Sequence, residues 1–293
     1  FDPNIWQIGL TQKQATDLFS EDTGVPALNR PLQGMYSPAS TFKVVSAVAV
    51  MNAGYDMNAY YKCPAKVEIG DRIFNNFENK SQGTINMREA IAVSCDTIWY
   101  QIAYDEWVRD GGLSPRSGLH DYFFTAARGF GLGKTTGIDL PSEASGRLPD
   151  RDWKKRFYDE YKDFYCNFKE RAKKSDLSPY LIEIARENCL DGDKVRAGDA
   201  VNFSIGQGDM LMTPIQVVQL YAAIANGGTI FKPQIARAVI KPNGVVVKEF
   251  KPEAIAAQVL TKRADKFLRE ALRAVVTEGT AAGVFSGFPI PVS

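Results

Sequence analysis

The sequence predicts a mixed α/β domain that combines helices with short extended segments. Three observations carry that expectation. Val44 to Met51 is an almost wholly apolar run, preceded by Tyr36-Ser37-Pro38-Ala39-Ser40-Thr41-Phe42-Lys43 and closed by Gly54, which is the pattern of a helix buried on every side. Thr213-Pro214-Ile215-Gln216, and Asn86 with Glu89, have the spacing of capping boxes that open helices. Thr229 to Ile240 and Val245 to Phe250 flank the turn sequence Lys241-Pro242-Asn243-Gly244 and read as a hairpin.

Taken in order, Ile5 to Leu10 looks like the tail of a strand, and Thr11 with Gln14 caps a short helix reaching Phe19. Tyr60 to Phe77 alternates apolar and polar residues among turn formers, so short strands or an extended loop are expected. The helix opened by Asn86 runs towards Ser94, and a second pattern covers Thr97 to Tyr104, which puts Ser94-Cys95-Asp96 at a junction of two helices. Leu119 to Arg128 reads as a helix stopped by Gly129, and Ile138 to Pro141 as a short extended piece. Trp153 to Lys194 is dense in charge and aromatics and predicts a helical surface insertion, broken near Ser178-Pro179. The helix from Thr213 runs to Asn226 with Val217, Leu220, Tyr221 and Ile224 on its core face, and Thr261 to Glu278 is an amphipathic helix ended by Gly279.

Composition removes several function classes. The formal charge is +1, from 35 basic and 34 acidic residues, so no global field selects nucleic acid or an anionic membrane. The longest apolar run falls far short of the roughly 20 residues that span a bilayer, and no signal peptide stands at Phe1. Phe1-Asp2-Pro3-Asn4 reads as mid-domain sequence, so we expect an upstream portion carrying a membrane anchor. The four cysteines form no C-x-x-C pair and there is one histidine, His120, which leaves a metal site short of ligands. Cys166 and Cys189 share the charged segment, and the sequence leaves open whether they pair or stay free.

The chemistry centres on Ser40-x-x-Lys43. Residues three apart share a helix face, which brings the Ser40 hydroxyl and the Lys43 amine within reach of each other. The plain alternative is a capping serine beside a solvated lysine. Against it, Lys43 opens a helix that is otherwise apolar, where an amine must find polar company or lose its proton. Burial and the positive end of the helix dipole both disfavour the ammonium form, which makes Lys43 a candidate base and Ser40 its nucleophile, with the Ser40 backbone N–H as one oxyanion donor. Ser94-x-Asp96 is a weaker pattern, matched equally by Ser20-x-Asp22, but at the helix junction it can hold Lys43 and pass protons. Arg128 to Thr135 falls short of a phosphate-binding loop because arginine stands where the first glycine is required, and His120 reads as a surface helix residue.

In this order the pieces resemble the transpeptidase domain of class B penicillin-binding proteins, the elongation-type branch related to penicillin-binding protein 2. The resemblance rests on Phe1 to Asn4, Asn29-Arg30, Tyr36 to Lys43, Ala92 to Thr97, and Gly129 to Pro141. It continues through Ser204-Ile205-Gly206-Gln207-Gly208, Thr213-Pro214, Ala222 to Gly228 and Glu278 to Ala281, and omits only about Trp153 to Lys194. It implies helices around a largely antiparallel sheet, much of it built from strands outside this chain, so that residues 1–293 are a partial transpeptidase domain with an insertion at 153–194. The family's third motif, Lys-Thr-Gly, is expected just beyond Ser293.

The resemblance further implies that Ser40 is acylated, Lys43 deprotonates it and Ser94 shuttles the proton, with Asp96 where asparagine is commoner. A carboxylate there favours the ammonium form, so the identity of the resting base stays open. The implied substrate is a D-Ala-D-Ala stem peptide of peptidoglycan, with β-lactams as inhibitors, no cofactor and a membrane glycosyltransferase as partner. The implied location is the extracytoplasmic face of a bacterial membrane. The rivals are a β-lactamase or carboxypeptidase of the same fold, and a non-catalytic penicillin-binding sensor or scaffold.

Overall fold

The structure is a computed structural model that describes residues 4–168, 170, 178–290 and 292. The N-terminal segment is helical: α1 (Ile5–Ile8), α2 (Gln12–Phe19) and α3 (Arg30–Gln33) precede a 3₁₀ turn, Ala39–Phe42, that runs straight into α4 (Lys43–Asn52). The strand tail expected at Ile5 to Leu10 is not formed. With no described strand alongside, the segment closes its own hydrogen bonds, the Gln7 N–H donating to the Asn4 carbonyl, before Gly9 turns the chain at φ 83°. The Thr11 capping box is present in full.

Four short strands follow: β1 (Tyr61–Cys63), β2 (Lys66–Ile69), β3 (Arg72–Asn75) and β4 (Gly83–Ile85). β2 and β3 form a hairpin, and β1 reaches across to β4, with Cys63 opposite Gly83. Then come α5 (Met87–Ala92), with its Asn86–Glu89 capping box, α6 (Thr97–Arg109) and α7 (Tyr122–Gly129). His120 is exposed but precedes α7 rather than lying on it, stacked flat against Tyr122. Ile138 to Pro141 forms no strand either. Its polar groups are spent in the loop, where the Asp139 carboxylate accepts from the Ile235 and Ala236 N–H groups.

The charged segment contains α8 (Arg151–Cys166) and α9 (Pro179–Asp191), packed side by side and joined by a Cys166–Cys189 disulfide. Trp153, Phe157 and Tyr161 stack along α8, and buried Lys154 ties the helix down by ion pairs to Asp199 and Asp209 at 3.2 and 2.9 Å. The break expected near Ser178-Pro179 is the start of α9, where the Ser178 side chain accepts from the Leu181 N–H. The remaining elements are α10 (Ala197–Phe203), α11 (Pro214–Ala225), β5 (Ile230–Phe231), β6 (Ala238–Ile240), β7 (Val246–Glu249), β8 (Ala254–Ala256), α12 (Lys262–Thr277) and α13 (Ala282–Phe285). The described strands pair antiparallel throughout, in two-stranded sheets, and β6 with β7 is the expected hairpin. Thr229 to Phe231 leaves that hairpin and pairs with β8 instead.

The core gathers around α4. Val45, Ala47, Ala49 and Val50 have no accessible surface, and the helix packs against α7 and α12. Each fully buried valine contributes about 1.5–3 kcal/mol relative to exposure. Leu220 and Ile224 of α11 are buried as expected, with Val217 and Tyr221 partly so. Among the described residues, no helix is long and apolar enough to cross a membrane.

A second disulfide, Cys63–Cys95, links β1 to the junction between α5 and α6, a pairing that spacing alone did not suggest. The other side of that junction is set by α12, which lies along α5 and ends in Glu278-Gly279. The Thr280 N–H donates to the Ala92 carbonyl at 3.0 Å, and a Cβ on Gly279 would collide with that same carbonyl. Gly279→Ala is therefore expected to destabilise the protein by about 1–3 kcal/mol, because the obstacle is backbone that cannot step aside. A Cβ on Gly283 meets nothing within 4 Å, so Gly283→Ala is the matched control. Thermal denaturation of the two variants side by side checks this, and equal midpoints would contradict it.

Candidate active site

Ser40 sits in the 3₁₀ turn, exposed, while Lys43 one turn later is 2% exposed. The sequence forces this division. The turn stands at the mouth of the core, and α4 buries each following side chain as far as Val50. Ala39 adopts φ +48°, a left-handed conformation that costs an L-residue roughly 1–2 kcal/mol. Two contacts keep it there. Its N–H donates to the Gly206 carbonyl at 2.9 Å, and Gly206 lies so close that a Cβ would meet the Phe42 Cβ at 2.5 Å and the Ala39 carbonyl at 2.6 Å. Ser46 of α4 donates to the Ser204 carbonyl at 2.5 Å, so the loop holding Gly206 is itself fastened to the buried helix.

Ser94 and Asp96 come from the junction of α5 and α6. Ser94 has φ +55°, its N–H bonds back to the Ile91 carbonyl and the Cys95 N–H to the Ala90 carbonyl. That is a Schellman ending of α5, in which the left-handed position normally belongs to glycine. A strained side-chain-bearing residue there marks a site where a side chain is wanted.

These segments converge on one hydrogen-bonded line. The Ser40 and Ser94 hydroxyl oxygens are 2.9 Å apart, and Lys43 Nζ donates to Ser94 Oγ at 2.9 Å and to the Ser94 carbonyl at 2.9 Å. Nζ also lies 2.5 Å from Asp96 Oδ1. The three acceptors match the three protons of an ammonium group. All four residues singled out in the sequence are thus together, with one difference. The hydrogen bonds that join Ser40 to Lys43 pass through Ser94, because α4 turns Nζ inward beneath the hydroxyl.

Burial pushes the Lys43 amine below its ordinary value, and the attraction and hydrogen bond of Asp96 only partly oppose that shift. Tyr100, one turn into α6, is pushed up by burial and by the same carboxylate, so it stays a neutral phenol. Tyr221, assigned from sequence to the core face of α11, donates its hydroxyl to the Thr41 carbonyl at 3.1 Å, next to the serine. Burial pushes that phenol up to about 12. Sequence reasoning missed this contact and the clamp by Gly206; the glycine-bearing loop was visible, but not what it leaned on. Among the described residues, no group of histidine, cysteine and carboxylate side chains is arranged to hold a metal ion.

A family description, the penicillin binding protein transpeptidase domain, matches residues 5–291. The chain belongs to this family. It is 28% identical over 262 residues to the peptidoglycan D,D-transpeptidase MrdA of Salmonella typhimurium, covering 88% of this chain and 34% of that protein. The chain therefore spans about a third of the length of that relative. Among solved structures, penicillin-binding protein 2 of Helicobacter pylori in complex with MreC superimposes with a TM-score of 0.70 at 22% identity, over 97% of this chain and 43% of that one. A peptidoglycan synthase complex that coordinates polymerization and crosslinking matches at 31% identity and a TM-score of 0.67, over 97% of this chain and 39% of that one. The helical and antiparallel architecture is that of the penicillin-binding transpeptidases.

Ser94 gives a test that separates strain from chemistry. Ser94→Gly is expected to stabilise the protein by up to about 1 kcal/mol, since glycine suits the left-handed position, while it cuts the hydrogen-bonded route from Ser40 to Lys43 that runs through the Ser94 hydroxyl. Denaturant unfolding paired with a rate of covalent labelling checks this; a variant both less stable and equally reactive would contradict it.

Proposed function

We propose that the chain carries the acylating centre of a D,D-transpeptidase that cross-links peptidoglycan stem peptides. The observation that supports the reading best is the line from Ser40 Oγ through Ser94 Oγ to Lys43 Nζ, an exposed hydroxyl wired to a buried amine. In its deprotonated form Lys43 draws the Ser40 proton through Ser94 as Ser40 Oγ attacks the penultimate D-alanine carbonyl. The oxyanion is met by the Ser40 backbone N–H among its donors. The ammonium so formed is stabilised by Asp96 and returns its proton, through Ser94, to the departing D-alanine amine. The acyl group then passes from Ser40 to the amine of a neighbouring stem peptide, whose lost proton reaches Lys43 and is handed on through Ser94 to the departing Ser40 Oγ, which restores the hydroxyl and the neutral amine. A β-lactam enters the same path as its ring amide opens, but its leaving amine stays tethered.

The setting agrees. Two disulfides suit an oxidising compartment, which supports an extracytoplasmic location at the bacterial membrane. The likeness to a synthase complex that joins polymerization to crosslinking supports a glycosyltransferase partner for the full-length protein.

In the full-length protein, a fluorescent penicillin is expected to label the wild type covalently and leave Ser40→Ala unlabelled; label on the alanine variant would contradict the assignment. A penicilloyl adduct that persists for many minutes excludes the hydrolytic rivals, whereas rapid loss would favour them. The electrostatics add a signed expectation. Asp96 raises the Lys43 value, so Asp96→Asn lets the amine lose its proton at lower pH, and the rise of labelling rate with pH is expected to move to lower pH. A rise that stays in place or moves upward would remove Lys43 as the base.

A further inference from the structure

The residues after Ser94 are held by something other than their own helices. Three consecutive side chains or amides reach the same neighbour. Cys95 is disulfide-bonded to Cys63, the last residue of β1. The Asp96 N–H donates to Asn76 Oδ1 at 2.7 Å, and the Thr97 hydroxyl donates to the Pro64 carbonyl at 3.0 Å. All three partners lie between the end of β1 and the residue that follows β3. Asn76 is in turn fixed, its Nδ2 donating to the Lys80 carbonyl at 2.5 Å and its N–H to the Ala65 carbonyl at 2.9 Å. It is 4% exposed, and both cysteines are fully buried.

We infer that Asn76 and the Cys63–Cys95 disulfide are positioning residues for the proposed acylation, setting where Ser94 and Asp96 meet Lys43. The inference rests on that functional reading and adds residues that touch neither substrate nor Ser40. The physical need is the left-handed Ser94. The end of α5 fixes its N-terminal side, but a non-glycine residue at φ +55° relaxes unless the other side is held as well. Relaxation rotates the Ser94 hydroxyl and carbonyl, and with them two of the three Lys43 acceptors. The brace prevents that from the C-terminal side, through covalent attachment at Cys95 and a buried amide acceptor at Asp96. Removing Asn76 Oδ1 also leaves a buried N–H without its partner, which pulls the segment towards water or another acceptor.

A positioning role and a merely structural one separate in acylation kinetics. With the full-length protein, the rate of labelling by a fluorescent penicillin is followed over a range of concentrations. This resolves the dissociation constant of the initial complex from the acylation rate constant. Asn76→Ala and the double variant Cys63→Ala/Cys95→Ala are each expected to lower the acylation rate constant about tenfold or more, with the dissociation constant changed less than about threefold. Leu18→Ala, a buried leucine of α2 outside the main core, supplies a destabilised control expected to keep the wild-type rate constant. Should Asn76→Ala fail to fold, Asn76→Ser, which retains a shorter acceptor, is read in its place. A wild-type rate constant in the folded brace variants, whatever their melting temperatures, overturns the inference. Failure of wild-type Ser40 to label at all would instead overturn the functional reading beneath it.

Discussion

A lysine stands at the first residue of a helix that has no other place for charge, and most of what surrounds it follows from that. Burial weakens the ammonium form of Lys43, and among the described residues three acceptors answer it, two of them on one strained serine. Asp96 returns part of what desolvation removes. A buried charge with fewer partners would shift its proton balance entirely or unfold the site, and one with more would hold its proton too firmly to act as a base. The intermediate arrangement keeps the amine below its usual value while leaving it a place to store a proton.

That arrangement is bought with local strain. Ala39 and Ser94 both adopt left-handed backbone conformations, and both stand next to or at the hydroxyl line. Each is held by a close backbone approach that only glycine permits nearby: Gly206 against Ala39 on one side, Gly279 against Ala92 on the other. The glycines distant in sequence therefore act on the same centre, one beneath the nucleophile turn and one beneath the helix that delivers Ser94. The Cys63–Cys95 disulfide and Asn76 complete the enclosure from the β1 to β3 side.

Much of this was legible in the residues themselves. Capping boxes at Thr11, Asn86 and Thr213 located helix starts because their chemistry is local, a side chain satisfying an amide three residues on. The apolar run after Lys43 located the core helix, and its lone cation pointed to the site. The failures were at Ile5 to Leu10 and Ile138 to Pro141, where short apolar patterns fit several conformations and the choice depends on which backbone lies alongside. The relay through Ser94 was also hidden, since three-residue spacing places side chains on a face but not the depth to which each one reaches. Disulfide pairing across 32 residues, and an asparagine that serves another segment's amide, are set by tertiary approach and leave no periodic trace.

The proposed chemistry turns on the protonation of one amine. Selective isotopic labelling of lysine side chains, with Lys43→Arg to assign the signal, allows the Lys43 Nζ titration to be followed directly by NMR in the full-length protein. The expected result is a midpoint below the ordinary lysine value of 10.5 that falls further in Asp96→Asn. A midpoint at or above that value in the wild type would show the ammonium to be the settled form, and would contradict the role given to Lys43.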